Sequence, residues 1–332
     1  MRRIGWIDYG KVIGIYLVVL AHTSLFIPLK DGIYTFLMPV FFFISGYLFS
    51  FSRNPVYKDF VKKRFRQLII PYIWINIITY LFWLVLGRHF GDDAGTNIPW
   101  YEPLINALLG NGGKLIHDIP IWFLVCLFVI ENLFYLVFKR VKRFWIGLIA
   151  FIILAYLNYT FNPYTLPFSF NTAIVAMIFY TFGYMMKEKE FFRKSNALYL
   201  IVALVVVVVV SIMNGRVAMY KNFYNNYFLF LLGGMAGIVF IVNTCLYLSS
   251  WFGDTNWIKY LAKNTIIISG FHLMTFSFIK AVMVYILCIP LTVLEEKIGV
   301  NILFSIISMI LCLPLIFFIN KYCPFIVGRK IK

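Results

Sequence analysis

Ten apolar runs divide the 332 residues of this chain, at approximately 10–29, 33–51, 68–86, 120–138, 144–160, 171–186, 197–213, 227–248, 265–287 and 300–320. Each is close to the length that crosses a bilayer as a helix, about 20 residues. In hydrocarbon every backbone N–H and C=O must be paired within the protein, so a spanning segment is either a helix or a strand of a closed barrel. Barrel strands alternate apolar and polar residues, and runs such as "YLIVALVVVVVVSI" do not. The expected fold is therefore all-α, a polytopic transmembrane helical bundle of about ten spans. It forms a single integral membrane domain over residues 1–332, with 62% hydrophobic residues and no inserted soluble domain.

The formal charge of +17 invites a nucleic-acid reading, but the basic residues lie in short clusters between the runs. Of the 30 Lys and Arg residues, 22 fall on one side of the alternating connections and 6 on the other. The first group takes in Arg2, Arg3, the six cations from Arg53 to Arg66, the clusters around Arg140, Lys189 and Lys259, and the tail with Arg329. Such asymmetry is an orientation signal, and it puts both termini in the cytoplasm. An even number of spans preserves the alternation. Nucleic acid is thus not an expected partner, whereas membrane lipid is. The first run is too long for a cleavable leader and lacks a small-residue cleavage site. The five cysteines have no paired spacing and read as small core residues.

Ionisable groups inside a membrane are costly and mark candidate sites. Here they are Asp8, Lys11, His22, Glu131, His272 and Lys280, with Asn76 and Asn243 as weaker members. Lys11 and His22 are 11 residues apart, close to three full helical turns. They share one face at an axial separation of about 16 Å. Asp8 lies one turn before Lys11, within pairing reach. A snorkelling lysine and a hydrogen-bonded core histidine would explain both. So would a cationic inner mouth with a base deep within. On the second run, Pro39 should kink the helix near the depth of His22, while Ser45 and Gly46 permit close approach of another helix. Glu131 is open to pairing with His22, with Lys280 or with an arginine. The long connection from Gly87 to Ile119 carries Asp92, Asp93, Trp100, Tyr101, Glu102, His117 and Asp118. It suits either a sugar or the headgroup layer. The stretch "SRNPVYKDFVKKRFRQLIIPY" reads as a short amphipathic helix at the inner interface.

Five stretches in order, "WIDYGKVIGIYLVVLAH", "MPVFFFISGYLF", "KKRFRQLIIPYIW", "IPIWFLVCLFVIE" and "NTIIISGFH", resemble the acyltransferase-3 family of integral membrane acyltransferases. The branch they are most similar to is that of fucose 4-O-acetylase-like proteins, which modify bacterial surface polysaccharides. One departure is Lys11, where the family usually has Arg. Lysine keeps the charge but loses the bidentate fork.

The resemblance implies an acyl-CoA-dependent O-acetyltransferase in the bacterial cytoplasmic membrane. Acetyl-CoA is the cytoplasmic co-substrate, and no metal is expected. The acceptor is a sugar hydroxyl of a polysaccharide or lipid-linked glycan. His22 is the expected general base or acyl carrier. Lys11, Lys63, Arg64 and Arg66, with Ser45, are expected to hold the anionic donor, and Lys11 also counts with His22 among the catalytic residues. His272, Asn76 and Ser45 are candidate oxyanion donors. Glu131 is a candidate orienting carboxylate, and Asn76, Trp122 and Trp100 are candidates to contact the acceptor. A succinyl donor, a glycan transporter or flippase, and a homo-oligomer are compatible with the same pattern. No phosphate-binding loop, zinc signature or serine nucleophile elbow is present.

Overall fold

The computed structural model describes residues 4–90, 96–141, 143–162, 164–189, 192, 194–295 and 297–329. Arg2, Arg3, Asp92, Asp93, Lys142, Arg193, Lys330 and Lys332, counted above, lie outside the described residues. The long helices are α1 Gly5–Ala21, α2 Ile27–Leu48, α3 Tyr57–Phe90, α5 Ile119–Phe138, α6 Phe144–Phe161, α7 Phe170–Glu188, α8 Ala197–Asn214, α9 Tyr227–Phe252, α11 Thr265–Ile286 and α12 Ile298–Tyr322. Two short helices, α4 Glu102–Leu109 and α10 Asn256–Lys263, lie in the connections. Among the described residues nine helices are long and apolar enough to cross a membrane, and α1, at 17 residues, is slightly shorter. This makes the protein a multi-pass, all-helical membrane protein.

Two helix boundaries differ from the sequence reading, each for a local reason. The first run was expected to continue to residue 29, with His22 in its interior. Instead α1 stops at Ala21 and His22 is its C-cap. Pro28 lies in the first turn of α2, which starts at Ile27; a proline fits there because no N–H is needed, whereas within a helix running on from α1 it would lose a hydrogen bond and clash with the preceding turn. The carbonyls freed at the end of α1 are taken by side chains. Thr23 Oγ1 donates to Leu20 O at 2.7 Å, Tyr34 OH to Ala21 O at 3.1 Å and Lys30 Nζ to Thr23 O at 3.1 Å. The amphipathic stretch from Tyr57 is not a separate interfacial helix but the first two turns of α3. Pro71 has no N–H to offer Gln67 O. The helix widens to a π-turn over Phe65–Ile69 just before it, with Ile70 N–H reaching back to Phe65 O.

The centre of the bundle is the antiparallel pair α2 and α7. Gly46 and Gly183 face each other's helix, and a Cβ on Gly46 would collide with Tyr180 O, one on Gly183 with Phe43 O. Backbones thus touch directly, as small residues permit in membranes. Gly234 and Gly237 of α9 similarly admit Phe179 and Phe36. The hydrophobic window of α7 is 72% buried against 17% for α6 and 22% for α8, so the last two are peripheral and face lipid. This rigid centre leaves a void on the side of α2 turned toward α1, α5 and α11.

Candidate active site

That void is a cavity of about 660 Å³. Lys11, Ile15, Val18 and His22 line it from α1, at the four-and-three spacing of a single helical stripe. Tyr34, Met38, Phe41 and Ser45 of α2, Trp122 and Phe123 of α5, and Thr265 and Ser269 of α11 complete most of the wall. At the end on the same side as the chain termini the wall carries Arg53, Lys63, Arg64 and Arg329. At the opposite end it carries Tyr34, Ala218, Met219 and Tyr220 beside His22.

The chemistry of His22 follows from its place as a helix cap. Its Nδ1 lies 2.7 Å from Val18 O. A carbonyl only accepts, so Nδ1 carries the proton and Nε2 is left as a lone-pair base. His272 of α11 stands beside it, the two rings edge to face with centroids 5.1 Å apart. Its Nδ1 is likewise committed to backbone, 3.0 Å from Ile268 O and 2.9 Å from Ser269 O. Its buried Nε2 has no hydrogen-bond partner among the described residues. Of the two rings, His22 is on the cavity wall and His272 is behind it.

The three residues expected to donate to an oxyanion are all committed elsewhere. His272 offers the cavity no N–H. Asn76 is off the wall: its Nδ2 donates to Tyr72 O at 2.9 Å, and its Oδ1 accepts from His117 Nε2 at 3.0 Å. Ser45 is on the wall, but its Oγ donates to Phe41 O at 2.9 Å. Glu131, fully buried, pairs with Arg64 through both carboxylate oxygens and does not approach His22. Of the partners open to it, the structure selects the arginine, because α5 runs beside the start of α3. Glu131 therefore fixes the Arg64 guanidinium at the cavity wall.

The donor-binding candidates divide. Lys11, Lys63, Arg64 and Ser45 are on the cavity wall. Arg66 is not; its Nε donates to Gly328 O at 2.9 Å. Trp122 is on the wall, whereas Trp100 sits exposed on the connection before α4, its carbonyl accepting from Tyr80 OH at 3.0 Å. Below that connection Asp118 is buried and His117 half-buried. Burial lowers His117 to about 4 and pushes the Asp118 carboxyl well above the usual carboxylate range. Both Asp118 oxygens lack a hydrogen-bond partner among the described residues. Sequence reasoning did not single out Tyr34 or Tyr220; it counted Arg53 among the cations of the inner mouth and Arg329 only as an orientation charge. Arg329 lies more than 300 positions from Lys11, and no local rule joins them.

The site is thus a cavity within a helical membrane bundle, with cations on the wall at one end and the His22 imidazole on the wall near the other. The chain belongs to the acyltransferase-3 family: that family's acyltransferase domain matches residues 4–321, nearly its whole length. Membership makes it a membrane acyltransferase. No curated protein and no solved structure matches it.

Proposed function

We propose that the protein is an O-acetyltransferase of the bacterial cytoplasmic membrane. It moves acetyl from cytoplasmic acetyl-CoA to a sugar hydroxyl of an exported or cell-surface polysaccharide, or of its lipid-linked precursor. The acceptor class rests on the resemblance to fucose 4-O-acetylase-like proteins. The orientation rests on the basic asymmetry of the connections. The observation that carries the reading is His22 itself: it lies on the wall of a tunnel whose other end is cationic, with its Nδ1 proton held by Val18 O.

In the proposed reaction the phosphates of CoA remain at the cationic end and the pantetheine arm runs along the α1 stripe. The distance from Lys11 to His22, about 16 Å along the helix, is spanned by this thin arm. The acceptor hydroxyl gives its proton to His22 Nε2 as its oxygen forms a bond to the thioester carbonyl carbon. The C–S bond then breaks, and the imidazolium returns the proton to the CoA thiolate. Acyl-CoA is the co-substrate, and no metal enters the scheme. Val18 O remains bonded to Nδ1–H throughout, so the ring does not turn. The wall cations other than Lys11 are all at the terminal end. Around His22 the wall is apolar and aromatic, which suits an acetyl group and would leave a succinyl carboxylate unpaired.

The test is thioester turnover by purified protein with acetyl-CoA and glycan, together with mass spectrometry of surface polysaccharide with and without the gene. CoA release coupled to loss of an acetyl increment in the gene deletion is the expected result. Glycan movement across vesicles without any CoA release would instead make it a transporter.

A further inference from the structure

Outside the cationic end of the tunnel is a second groove, about 550 Å³, that the mechanism above does not use. Lys62, Lys63 and Arg66 of α3 form one side, with Asp59 as its carboxylate, and Gly328 and Arg329 of the C-terminal segment form the other. It shares Lys63, Gly328 and Arg329 with the mouth of the tunnel, so the two are continuous.

The tail is held against α3 by specific contacts. Gly328 adopts φ +66°, a conformation that costs glycine little. A Cβ there would strike Arg66 O. Gly328 O accepts from Arg66 Nε at 2.9 Å. Arg329 is fixed in turn. One terminal nitrogen donates to Asn264 Oδ1 at 3.1 Å and to Asn320 Oδ1, and the other to Lys263 O at 2.8 Å. The tail thus fastens α3 to the junction before α11 and keeps a guanidinium at the rim of the groove.

We propose that this groove is a separate subsite for a terminal phosphate monoester of the donor, the 3′-phosphate of CoA, and that the C-terminal tail completes it. The proposal rests on the acyl-CoA reading given above. Extended from His22, the pantetheine arm reaches the tunnel mouth near Lys11, Arg53 and Arg64. The pyrophosphate is then left at that mouth, and the ribose with its 3′-phosphate falls outside the bundle, next to the groove. Four cations against one carboxylate favour a doubly charged phosphate there. A planar, immobilised guanidinium is suited to holding it by two N–H donors. The tail would thereby let the enzyme discriminate CoA thioesters from thioesters that lack the 3′-phosphate.

The experiment compares acetyl-CoA with 3′-dephospho-acetyl-CoA as donor to the full chain in nanodiscs, using the wild type, Lys62→Gln and Arg329→Gln. Lys62 is exposed on the groove side and off the tunnel wall, so its variant tests the groove even if Arg329→Gln loosens the tail. The expected wild-type result is a KM roughly tenfold higher for the dephospho donor at similar kcat, the scale of one charge-assisted contact. In Lys62→Gln the preference should shrink, because KM rises for acetyl-CoA alone. Equal use of both donors by the wild type, or a variant that raises both KM values in proportion, would overturn the subsite. Failure of the wild type to consume either donor would overturn the acyl-CoA reading beneath it.

Discussion

The two ends of the tunnel are built on opposite principles. At the terminal end the wall presents Arg53, Lys63, Arg64 and Arg329, anchored by the Glu131 carboxylate, by the tail and by backbone carbonyls. Around His22 the wall is Val18, Met38, Trp122 and the two tyrosines 34 and 220, with no cation among them. On the proposed function, charge at the first end holds the anionic handle of the donor, whereas a low-dielectric pocket at the other keeps water from the thioester and the imidazole in its neutral form. If the proposed function holds, the difference separates affinity from chemistry along the cavity, and α1, carrying both Lys11 and His22, is the ruler between them. Substitutions at one end should therefore change KM, and at the other kcat.

The largest expected effect comes from undoing the anchor. Arg64→Leu leaves the fully buried Glu131 carboxylate unpaired, a loss on the scale of about 3–5 kcal/mol. Thermal unfolding in detergent should show a large drop in Tm. The double variant Arg64→Leu with Glu131→Leu should recover most of it, since no buried charge then remains. If the single and double variants melt alike, the pair does not hold the terminal end together.

A smaller effect is expected at Lys11. Lys11→Ala should raise KM for acetyl-CoA about tenfold, the scale of one charge contact, with kcat little changed. Lys11→Arg should stay near the wild type. A fall in kcat without a change in KM would move Lys11 from the donor-holding end to the reacting one and erase the contrast between them.

The smallest effect lies away from the tunnel. Burial raises the pKa of Asp118, so its stabilising contribution is present below the unfolded value of 3.8 and is lost as pH rises through the folded one. Burial lowers His117 to about 4. Its contribution is full above the unfolded value of 6.5 and is lost as pH falls toward 4. Asp118→Asn should therefore stabilise the protein at neutral pH, by about 1 kcal/mol as the low end for an unpaired buried group, and flatten the alkaline decline. Kinetics should not change. An unaltered pH–stability profile would mean that Asp118 is paired in the folded protein.

The helices were largely legible because lipid leaves a chain few choices. Runs without alternation must become helices, and the 11-residue spacing of Lys11 and His22 had to place them on one stripe. The end of α1 was legible too, in the Pro28 of the first turn of α2, but the apolar character of residues 25–29 concealed it. The partners of the intramembrane charges were not. Glu131 and Arg64 are 67 residues apart and meet only because α5 packs beside α3. Asn76 was readable as a costly polar group, yet nothing local showed that its partner is His117 rather than a substrate. The tail was readable only as charge, since its role depends on Gly328 fitting against Arg66 across the whole bundle.

The account turns on His22 as a base and not merely a helix cap, and His22→Gln separates the two. A glutamine amide can still donate to Val18 O, so α1 ends as before, but it cannot take a proton from a hydroxyl. The measurement is steady-state acetyl transfer from acetyl-CoA to glycan in nanodiscs holding equal amounts of wild-type and variant protein. The predicted result is a kcat reduced by roughly 10²-fold or more, the scale of a positioned general base, with KM for acetyl-CoA nearly unchanged. Near-normal kcat in His22→Gln would contradict it and leave the histidine as a cap alone.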